Sequence, residues 1–440
     1  MAVLSEPALL DQPSEVAPGR ASLASRVAFR FCFVYFGLYC LLTQILTSLI
    51  ALPDTDLPTL ETLWPMRPIV FWTAAHVFHL TTPLIYQGSG SGDKTFDWVE
   101  VFCLLLIASL ATVIWSVLDR RRANYDTLHK WSRFALRILL AGQMLSYGMA
   151  KVIPMQMPYP SLAKLLEPYG QFSAMGVLWA SIGASPAFET YTGCVEMLGG
   201  ILLLVPRTTL LGSLVSLAAM THVFMLNMTY DVPVKLLSFH LVLMSLLLLA
   251  PEASRLASFF FLNRTTRPSE AAPLFRSRRA NRIALAAPML LGIWLIGKDV
   301  HEVSKYRKQY AERSPLYGVW DVEQMTVDGE ARAPLVSDNE RWRRVIFDSP
   351  SRVSFQRMDD TFVRYGSAID ANQKTIALTK PGDEKWKATL SFARDAQEQM
   401  ALDGELDGRK LHLQLRLFDR EKFLLVSRGF HWVQEYPFNR

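Results

Sequence analysis

The sequence predicts a multi-domain protein in which a polytopic α-helical membrane bundle of about seven spans is followed by a small antiparallel β-barrel. Hydrophobic residues make up 50% of the chain, and several apolar runs reach the ~20 residues that cross a bilayer core. Arginine and lysine are concentrated in two short loops between those runs, as in loops that orient membrane helices. Beyond Leu316, short alternating runs and turn pairs replace the long apolar runs, and this pattern is typical of strands.

The basic composition does not indicate a nucleic-acid partner. The formal net charge is +6, but the excess lies in loops that orient helices, and no basic face interleaved with aromatic residues is visible. Patterns for phosphate loops, dinucleotide sites, haem attachment and Ser-His-Asp triads do not stand out, so the commonest enzyme classes are not indicated. The four cysteines lie inside apolar runs and are interpreted as packing residues. His76 and His79 lack a third partner, so no metal site is predicted.

The N-terminal region is expected to hold a tail, membrane helices and an interfacial segment. Residues 1–26 lack the cleavage site of a secretory signal, so they should form a cytoplasmic tail and leave the first span, 27–51, as an anchor. Residues 27–131 then contain this span, an apolar segment at 68–86 and a second span at 98–118. Histidines and threonines interrupt 68–86, so it either spans or lies in the outer interface. The positive-inside rule favours the interface, because an extra span would place the basic start of the chain outside.

Two basic loops orient the remaining spans. The first contains Arg120, Arg121 and Arg122, and the second occupies residues 252–282. Both are expected in the cytoplasm. The four spans between them, at 132–154, 186–206, 208–230 and 233–251, are an even number and therefore return the chain to the cytoplasmic side. A last span with its connector, 283–314, leads outward, so the C-terminal domain is predicted on the periplasmic or extracellular side of a bacterial-type inner membrane. Residues 155–185, with two short helical pieces, should form an outer lid over the bundle.

Residues 315–440 are predicted to form the barrel. Up to nine strands are expected, at 317–325, 342–347, 352–357, 362–369, 374–379, 385–392, 399–402, 410–418 and 422–428. The turn pairs between them are Asp328-Gly329, Asp359-Asp360, Asp403-Gly404 and Asp407-Gly408. The opening Gly318-Val319-Trp320 resembles the Gly-x-Trp start of lipocalins and lipocalin-like domains. A barrel of this size holds either one apolar ligand or only its own side chains.

One predicted helix carries carboxylates deep in the membrane. Glu189, Thr192 and Glu196 recur at three and four residues, so they share one face. Glu196 lies roughly 15 Å below the outer end of its helix, near the bilayer midplane. A carboxylate at this depth marks function by default, and the alternative is a neutral, hydrogen-bonded structural glutamate.

Further polar residues are expected at similar depths on neighbouring helices. Gln143, Tyr147 and Lys151 form a stripe along the span at 132–154, while His222 and His240 lie roughly 12 Å below the outer surface. The predicted deep layer is Gln143, Glu196, His222 and His240. The predicted shallower ring is Lys151, Glu189, Asp231 and Lys235. Asp231 is expected to cap the helix that Pro233 opens, and the turn is either a capped connection or the mouth of a polar pocket.

Two stretches resemble the DoxX-like four-helix membrane module. Tyr147-Gly148-Met149-Ala150-Lys151 ends one span, and Glu196-Met197-Leu198-Gly199-Gly200-Ile201-Leu202-Leu203-Leu204 lies in the next, with Arg207 directly after it. The resemblance covers residues 132–251. It implies a role in membrane redox, as a quinone-linked oxidoreductase subunit or as a partner of thiol and superoxide chemistry. The barrel and the turn at Asp231–Lys235 lie outside that module, and a distant resemblance to the larger membrane carboxylase-like bundles is the alternative.

The leading hypothesis is a quinone- or lipid-binding component of a membrane redox complex. Glu196, His222 and His240 would carry the proton chemistry, because a quinone needs hydrogen-bond donors and a nearby proton carrier. Gln143, Tyr147, Lys151, Glu189, Asp231 and Lys235 would line the ligand site. Nothing in the chain carries electrons, so a redox partner protein is implied besides the lipid bilayer. The alternatives are a non-enzymatic scaffold or assembly factor that presents the barrel, and a small-solute transporter, against which the lack of visible inverted repeats counts.

Overall fold

The fold is taken from a computed structural model, which describes residues 22–55, 57–266 and 273–439. Residues 1–21 of the predicted cytoplasmic tail, Arg267 of the second basic loop and the terminal Arg440 lie outside this part of the chain. The helices before the barrel are α1 (Leu23–Leu42), α2 (Gln44–Ile50), α3 (Met66–His76), α4 (Thr95–Leu118), α5 (Asp126–Val152), α6 (Leu162–Leu166), α7 (Ala174–Gly183), α8 (Pro186–Leu204), α9 (Thr209–Thr229), α10 (Lys235–Leu249), α11 (Ala253–Phe260) and α12 (Arg278–Ala311).

Within the described residues, six helices are long and apolar enough to cross a membrane. They are Leu23–Leu42, Thr95–Leu118, Pro186–Leu204, Pro206–Thr229, Lys235–Phe260 and Arg278–Lys308. The 27-residue α5 is a further long helix. It is more polar, and it packs against α8, α12 and α2 in the interior of the bundle. The prediction of a polytopic helical bundle is therefore confirmed.

The first predicted span and the apolar segment after it differ from simple membrane crossings. The helix is interrupted at Thr43, whose backbone is extended, so that α1 and α2 are separate helices. α3 is only 11 residues long, which is too short for a bilayer core that requires about 20 helical residues. It packs against α4, in agreement with the prediction that 68–86 is not a span.

The basic loops meet at one end of the bundle. Arg26, at the start of α1, donates from Nη1 to the Arg122 carbonyl at 2.6 Å, and Arg133 of α5 donates from Nη2 to the Leu248 carbonyl of α10 at 3.3 Å. At the opposite end, Lys305 of α12 binds Asp54, in the loop after α2, at 2.7 Å. These contacts place the starts of α1 and α5 and the end of α10 at one end of the bundle, and the loop after α2 beside the C-terminal part of α12.

Two glycines allow α5 and α8 to cross in close contact. A β-carbon on Gly148 of α5 would lie 2.9 Å from the Gly193 carbonyl oxygen, and one on Gly193 of α8 would lie 2.6 Å from the Gly148 carbonyl oxygen. Such distances exclude any larger side chain without a shift of the backbone. This contact brings residues one turn further along each helix within hydrogen-bonding reach of one another.

The C-terminal domain is a closed antiparallel barrel. Its strands are β1 (Gly318–Val327), β2 (Glu330–Ala331), β3 (Trp342–Ser349), β4 (Arg352–Arg357), β5 (Phe362–Asp370), β6 (Thr375–Lys380), β7 (Asp383–Ala396), β8 (Gln399–Leu406) and β9 (Arg409–Leu417). Each of β3 to β8 pairs with the next, β1 pairs with β3, and β1 pairs with β9 to close the sheet. The short β2 extends β1 in a hairpin beside the eight closing strands. The barrel prediction is confirmed.

The barrel interior is occupied by its own side chains. Trp320 is 1% exposed, and its Nε1 donates to the Leu316 carbonyl at 3.0 Å. Phe347, Phe355 and Leu402 belong to the same buried cluster. Of the two alternatives for a barrel of this size, the packed interior is the one observed.

Two details of the predicted barrel are wrong. Residues 422–428 do not form a strand, because β9 already closes onto β1, and a short helix, α13 (Leu424–Ser427), follows instead. Asp403-Gly404 is not a turn but lies within β8, where a β-carbon on Gly404 would approach the Thr389 carbonyl oxygen to 2.6 Å. Asp328-Gly329 and Asp407-Gly408 are turns, and each of their residues has a positive φ.

The predicted lid is present and contacts the barrel. α6 and α7 match its two expected helical pieces. The Asp348 carboxylate of β3 accepts from the backbone N–H groups of Leu162 and Ala163 at 2.7 and 3.1 Å, so a barrel residue stabilises the start of α6. Leu162 and Ala163 also pack against Val319 and Ile346 of the barrel. The lid and the barrel therefore lie at the same end of the bundle.

Candidate functional site

The centre of the candidate site is a buried ion pair between α5 and α8. Lys151 Nζ lies 2.7 Å from Glu196 Oε2, and both residues are almost fully buried. Lys151 follows Gly148 by three residues and Glu196 follows Gly193 by three, so the close helix crossing positions both side chains. Lys151 also donates to the Tyr147 carbonyl at 3.3 Å. Two charges removed from water are tolerated here because they neutralise each other at hydrogen-bond distance.

A second carboxylate shares the same lysine. Glu189 lies two turns before Glu196 on α8, is fully buried, and is close enough to Lys151 to feel its charge. Its Oε1 accepts from the Met157 backbone N–H at 2.9 Å, while its Oε2 makes no hydrogen bond within the described chain. Lys151 is therefore the nearby cation for both carboxylates, although among the described residues it forms an ion pair only with Glu196. Glu189 Oε2 is placed to accept a hydrogen bond from a ligand.

The polar stripe predicted along α5 is present, but Gln143 and Tyr147 in it contact α2. Gln143 Nε2 donates to Ser48 Oγ at 2.6 Å, and the Tyr147 hydroxyl accepts from Gln44 Nε2 at 3.0 Å. Gln143 therefore does not bind Glu196, although the sequence places both in one layer. The stripe joins the α5–α8 ion pair to the broken first span.

A buried charged pair on α12 continues this polar layer. Lys298 Nζ donates to the Ser48 carbonyl at 3.0 Å and lies 3.9 Å from Asp299 Oδ1. Asp299 Oδ2 is buried and makes no hydrogen bond within the described residues. Neither residue was predicted from the sequence. Two adjacent opposite charges inside the apolar part of α12 were the available signal.

His240 belongs to a separate aromatic cluster formed with α1. Its Nδ1 lies 2.7 Å from the Leu236 carbonyl, which can only accept, so Nδ1 carries the proton. Nε2 is then an acceptor, and the Tyr35 hydroxyl donates to it at 2.7 Å. The Tyr39 ring stacks on the imidazole with ring centroids 3.7 Å apart. Both ring nitrogens are thus hydrogen-bonded, and the orientation of the imidazole is fixed.

A carboxyl pair adjoins this aromatic cluster. Glu100 of α4 is buried, and its charge acts on Tyr35 and Tyr39. Glu61, in the loop before α3, lies at hydrogen-bonding reach of Glu100 and accepts from Thr59 Oγ1 at 3.0 Å. Burial raises the pKa of Glu61, and the Thr59 hydrogen bond opposes this rise. Ionised carboxylates only accept hydrogen bonds, so a bond between the two requires a shared proton. The sequence analysis did not identify either residue.

The turn between α9 and α10 is capped differently from the prediction. Asp231 does not cap α10. The cap is Asp93, which accepts from the backbone N–H groups of Lys235 and Leu236 at 2.8 and 2.9 Å. Asp231 has a φ of 53° and instead binds Lys235 Nζ at 2.9 Å. The side chain of Asp231 is 88% exposed, so the capped turn, rather than the mouth of a polar pocket, is the arrangement observed.

The three residues predicted to carry proton chemistry are not in contact with one another. Glu196 binds Lys151, His240 binds Tyr35, and His222 is exposed on the outer face of α9. His76 and His79 are exposed as well. Over the described residues, no group of three or more His, Cys, Asp or Glu side chains is arranged to hold a metal ion. The site that the structure assembles consists of Lys151, Glu196 and Glu189.

Fold and site together define a helical membrane protein with a buried intramembrane charge cluster and a C-terminal closed β-barrel. The uncharacterized protein YwoB of Bacillus subtilis (strain 168) is 29% identical to the chain over 124 residues, which is 28% of this chain and 79% of that protein. No protein-family model matches the chain. No solved structure matches it.

Proposed function

We propose that this protein is a DoxX-like component of a membrane redox complex, in which Lys151, Glu196 and Glu189 exchange a proton with a lipid-soluble ligand such as a quinone. The observation that carries the proposal is the imbalance of the cluster, since two buried carboxylates share one lysine. Two carboxylates and one lysine leave one excess negative charge, so the cluster is stabilised when it takes up a proton or accepts a hydrogen bond from a ligand. Reduction of a quinone consumes protons, and the protonated cluster can supply one.

The position of the cluster supports this role. Lys151 and Glu196 lie beneath the lid segment, whose backbone at Met157 binds Glu189 directly. A movement of the lid would therefore change the surroundings of Glu189. We further propose that the membrane is a bacterial inner membrane, with the basic loops in the cytoplasm and the lid and barrel on the periplasmic or extracellular side. Electrons would come from a separate redox protein.

A scaffold or assembly function is the second candidate, and the barrel favours it. Its interior is filled by side chains such as Trp320 and Phe347, and it is joined to the lid through Asp348. A packed barrel fixed to a bundle is suited to present a surface to another protein. In that case the Lys151–Glu196 pair would serve only to fix the α5–α8 contact.

The two candidates are separated by ligand retention in substituted proteins. Glu196→Gln keeps the size of the side chain but removes the carboxylate that Lys151 binds, so Lys151 is left to neutralise Glu189 and the cluster no longer takes up a proton. The full chain is purified in mild detergent, and decylubiquinone binding is followed by quenching of tryptophan fluorescence. Binding by the wild type that weakens at least tenfold in a correctly folded Glu196→Gln variant supports the redox proposal.

The control is His222→Gln, which changes an exposed residue on α9 and should bind as the wild type does. Equal quinone binding by the wild type and by Glu196→Gln would contradict the proposed role of the cluster, and the scaffold function would then lead.

A further inference from the structure

A groove on the bilayer-facing surface of the bundle lies between α1, α5 and α10. It has a volume of about 290 Å³. Its walls are mainly apolar, with Phe33, Phe36, Leu139 and Leu247 among the lining residues. Leu41, which also lines it, is 44% exposed, so the groove is open toward the hydrocarbon region. It is separate from the Lys151–Glu196 cluster, none of whose members lines it.

The polar residues of the groove are gathered at one end. His129, Ser132 and Arg133 come from the first two turns of α5, at the end of the bundle where the basic loops meet. From Phe29 to Leu41 the groove follows α1 for about 18 Å. Half of a ~30 Å hydrocarbon core is about 15 Å, so the groove has the depth of one leaflet.

The basic side chain at that end is Arg133, which is close to Glu252 but is not directly paired with it, while Asp126 acts on the neighbouring His129. Arg133 uses one Nη2 hydrogen for the Leu248 carbonyl, and no carboxylate in the described part of the chain forms an ion pair with it. Glu252, the acidic group that acts on Arg133, binds Arg255. Most of the guanidinium N–H groups of Arg133 therefore remain available to an anion at the level of the lipid headgroups.

We propose that this groove binds one anionic phospholipid, with an acyl chain along α1 and the headgroup phosphate on Arg133 and His129. The apolar length fits a chain of one leaflet, and the single basic end selects a negative headgroup. Basic pockets between membrane helices on the side of the basic loops bind anionic headgroups in this way. The lipid would join α1 to α5 and α10 at a surface where these helices leave a gap.

Gly37 provides a steric test of the chain-binding part. It lines the groove, and a β-carbon built on it has no neighbour within 4 Å. Gly37→Leu therefore fills the groove without a clash with the protein. Gly297→Leu is the matched control, because Gly297 is also helical, also has no neighbour within 4 Å of a built β-carbon, and lies on α12 away from this groove.

The experiment is native mass spectrometry of the purified full chain, titrated with phosphatidylglycerol or with phosphatidylcholine of the same acyl chains. One basic residue near the headgroup gives about a fivefold preference for the anionic lipid, and we expect the wild type to show it. Arg133→Gln should bind both lipids equally, Arg133→Lys should keep the preference, Gly37→Leu should weaken binding of both, and Gly297→Leu should behave as the wild type.

The proposal is overturned if the wild type does not distinguish the two lipids, or if Arg133→Gln retains the preference. Undiminished lipid binding by Gly37→Leu would also overturn it, because the chain would then lie elsewhere. This last result does not depend on the stability of the arginine variants.

Discussion

At the scale of single residues, the chemistry of the bundle depends on how buried charges are neutralised. Lys151 and Glu196 form a direct ion pair, Glu189 shares the same lysine, and Lys298 lies near Asp299 at 3.9 Å. In each case the cost of removing a charge from water is offset by an opposite charge on a neighbouring helix or residue. Removal of one partner is therefore more damaging than removal of both.

The first prediction uses this asymmetry. Lys151→Met leaves two buried carboxylates without a cation and should lower the free energy of unfolding by about 3–5 kcal/mol. The double variant Lys151→Met, Glu196→Leu should recover part of that loss, because it removes the direct ion pair as a unit and leaves only Glu189 without a cation. The measurement is a double-mutant cycle by SDS titration from mixed micelles. Additive losses in the double variant would show that the two side chains do not interact.

The second prediction concerns pH. Burial raises the pKa of Glu61, so the native state retains a proton that the unfolded chain releases near pH 4.3. Stability should therefore fall as the pH rises above about 4.3 toward the folded-state pKa. Glu61→Gln should flatten the dependence of the melting temperature on pH.

Asp54→Asn is the control for this experiment. The hydrogen bond from Lys305 lowers the pKa of Asp54, so its contribution is lost only when the pH falls below the usual range of an aspartate. In Asp54→Asn, the slope of the melting temperature against pH above about 5 should be the same as in the wild type. An unchanged slope in Glu61→Gln would contradict the assignment of a buried proton to this residue.

At the scale of elements, a feature could be predicted from the sequence when the contacts that determine it are between residues close in the chain. Helix and strand positions follow from apolar runs and alternation, and both were predicted. The α10 cap was not, because Asp93 is 142 positions from Lys235 in the sequence. The Lys151–Glu196 pair was missed as a pair, since the two residues were assigned to different depths before the Gly148–Gly193 crossing was known. Sequence shows which residues are polar, but only packing shows which of them meet.

The third prediction is that residues 315–439 fold alone as a β-domain. All eight closing strands and the buried cluster around Trp320 belong to this segment. Trp320→Ala should lower the free energy of unfolding in urea by about 3–5 kcal/mol, because it leaves a large cavity. Trp432→Ala, at a residue that is 91% exposed, should change it by less than about 0.5 kcal/mol. A helical or disordered fragment in circular dichroism would show that the domain boundary is wrong.

At the scale of the whole molecule, the ends of the bundle have different chemistry. One end gathers the basic loops and the polar end of the groove. The other carries the lid and the barrel, which are joined through Asp348. The arrangement of the ends follows from the order of the helices. The side on which each end lies rests on the positive-inside rule.

The fourth prediction is therefore a topology. A single cysteine introduced at Ser367 in the barrel should react with a membrane-impermeant maleimide in intact cells, whereas one at Arg121 should react only after lysis. The native cysteines should be replaced first, because Cys194 is exposed on α8. Labelling of residue 121 in intact cells would reverse the assigned orientation.

The most direct test of proton exchange by the cluster of Lys151, Glu196 and Glu189 is redox-induced infrared difference spectroscopy of the full chain in liposomes, with decylubiquinone as the ligand. Proton transfer from the cluster to a reduced quinone must change a carboxyl band. We predict a carboxyl C=O difference band in the wild type that is absent in Glu196→Gln and unchanged in His222→Gln. Identical spectra for the wild type and Glu196→Gln would contradict the claim that the cluster exchanges a proton with the ligand.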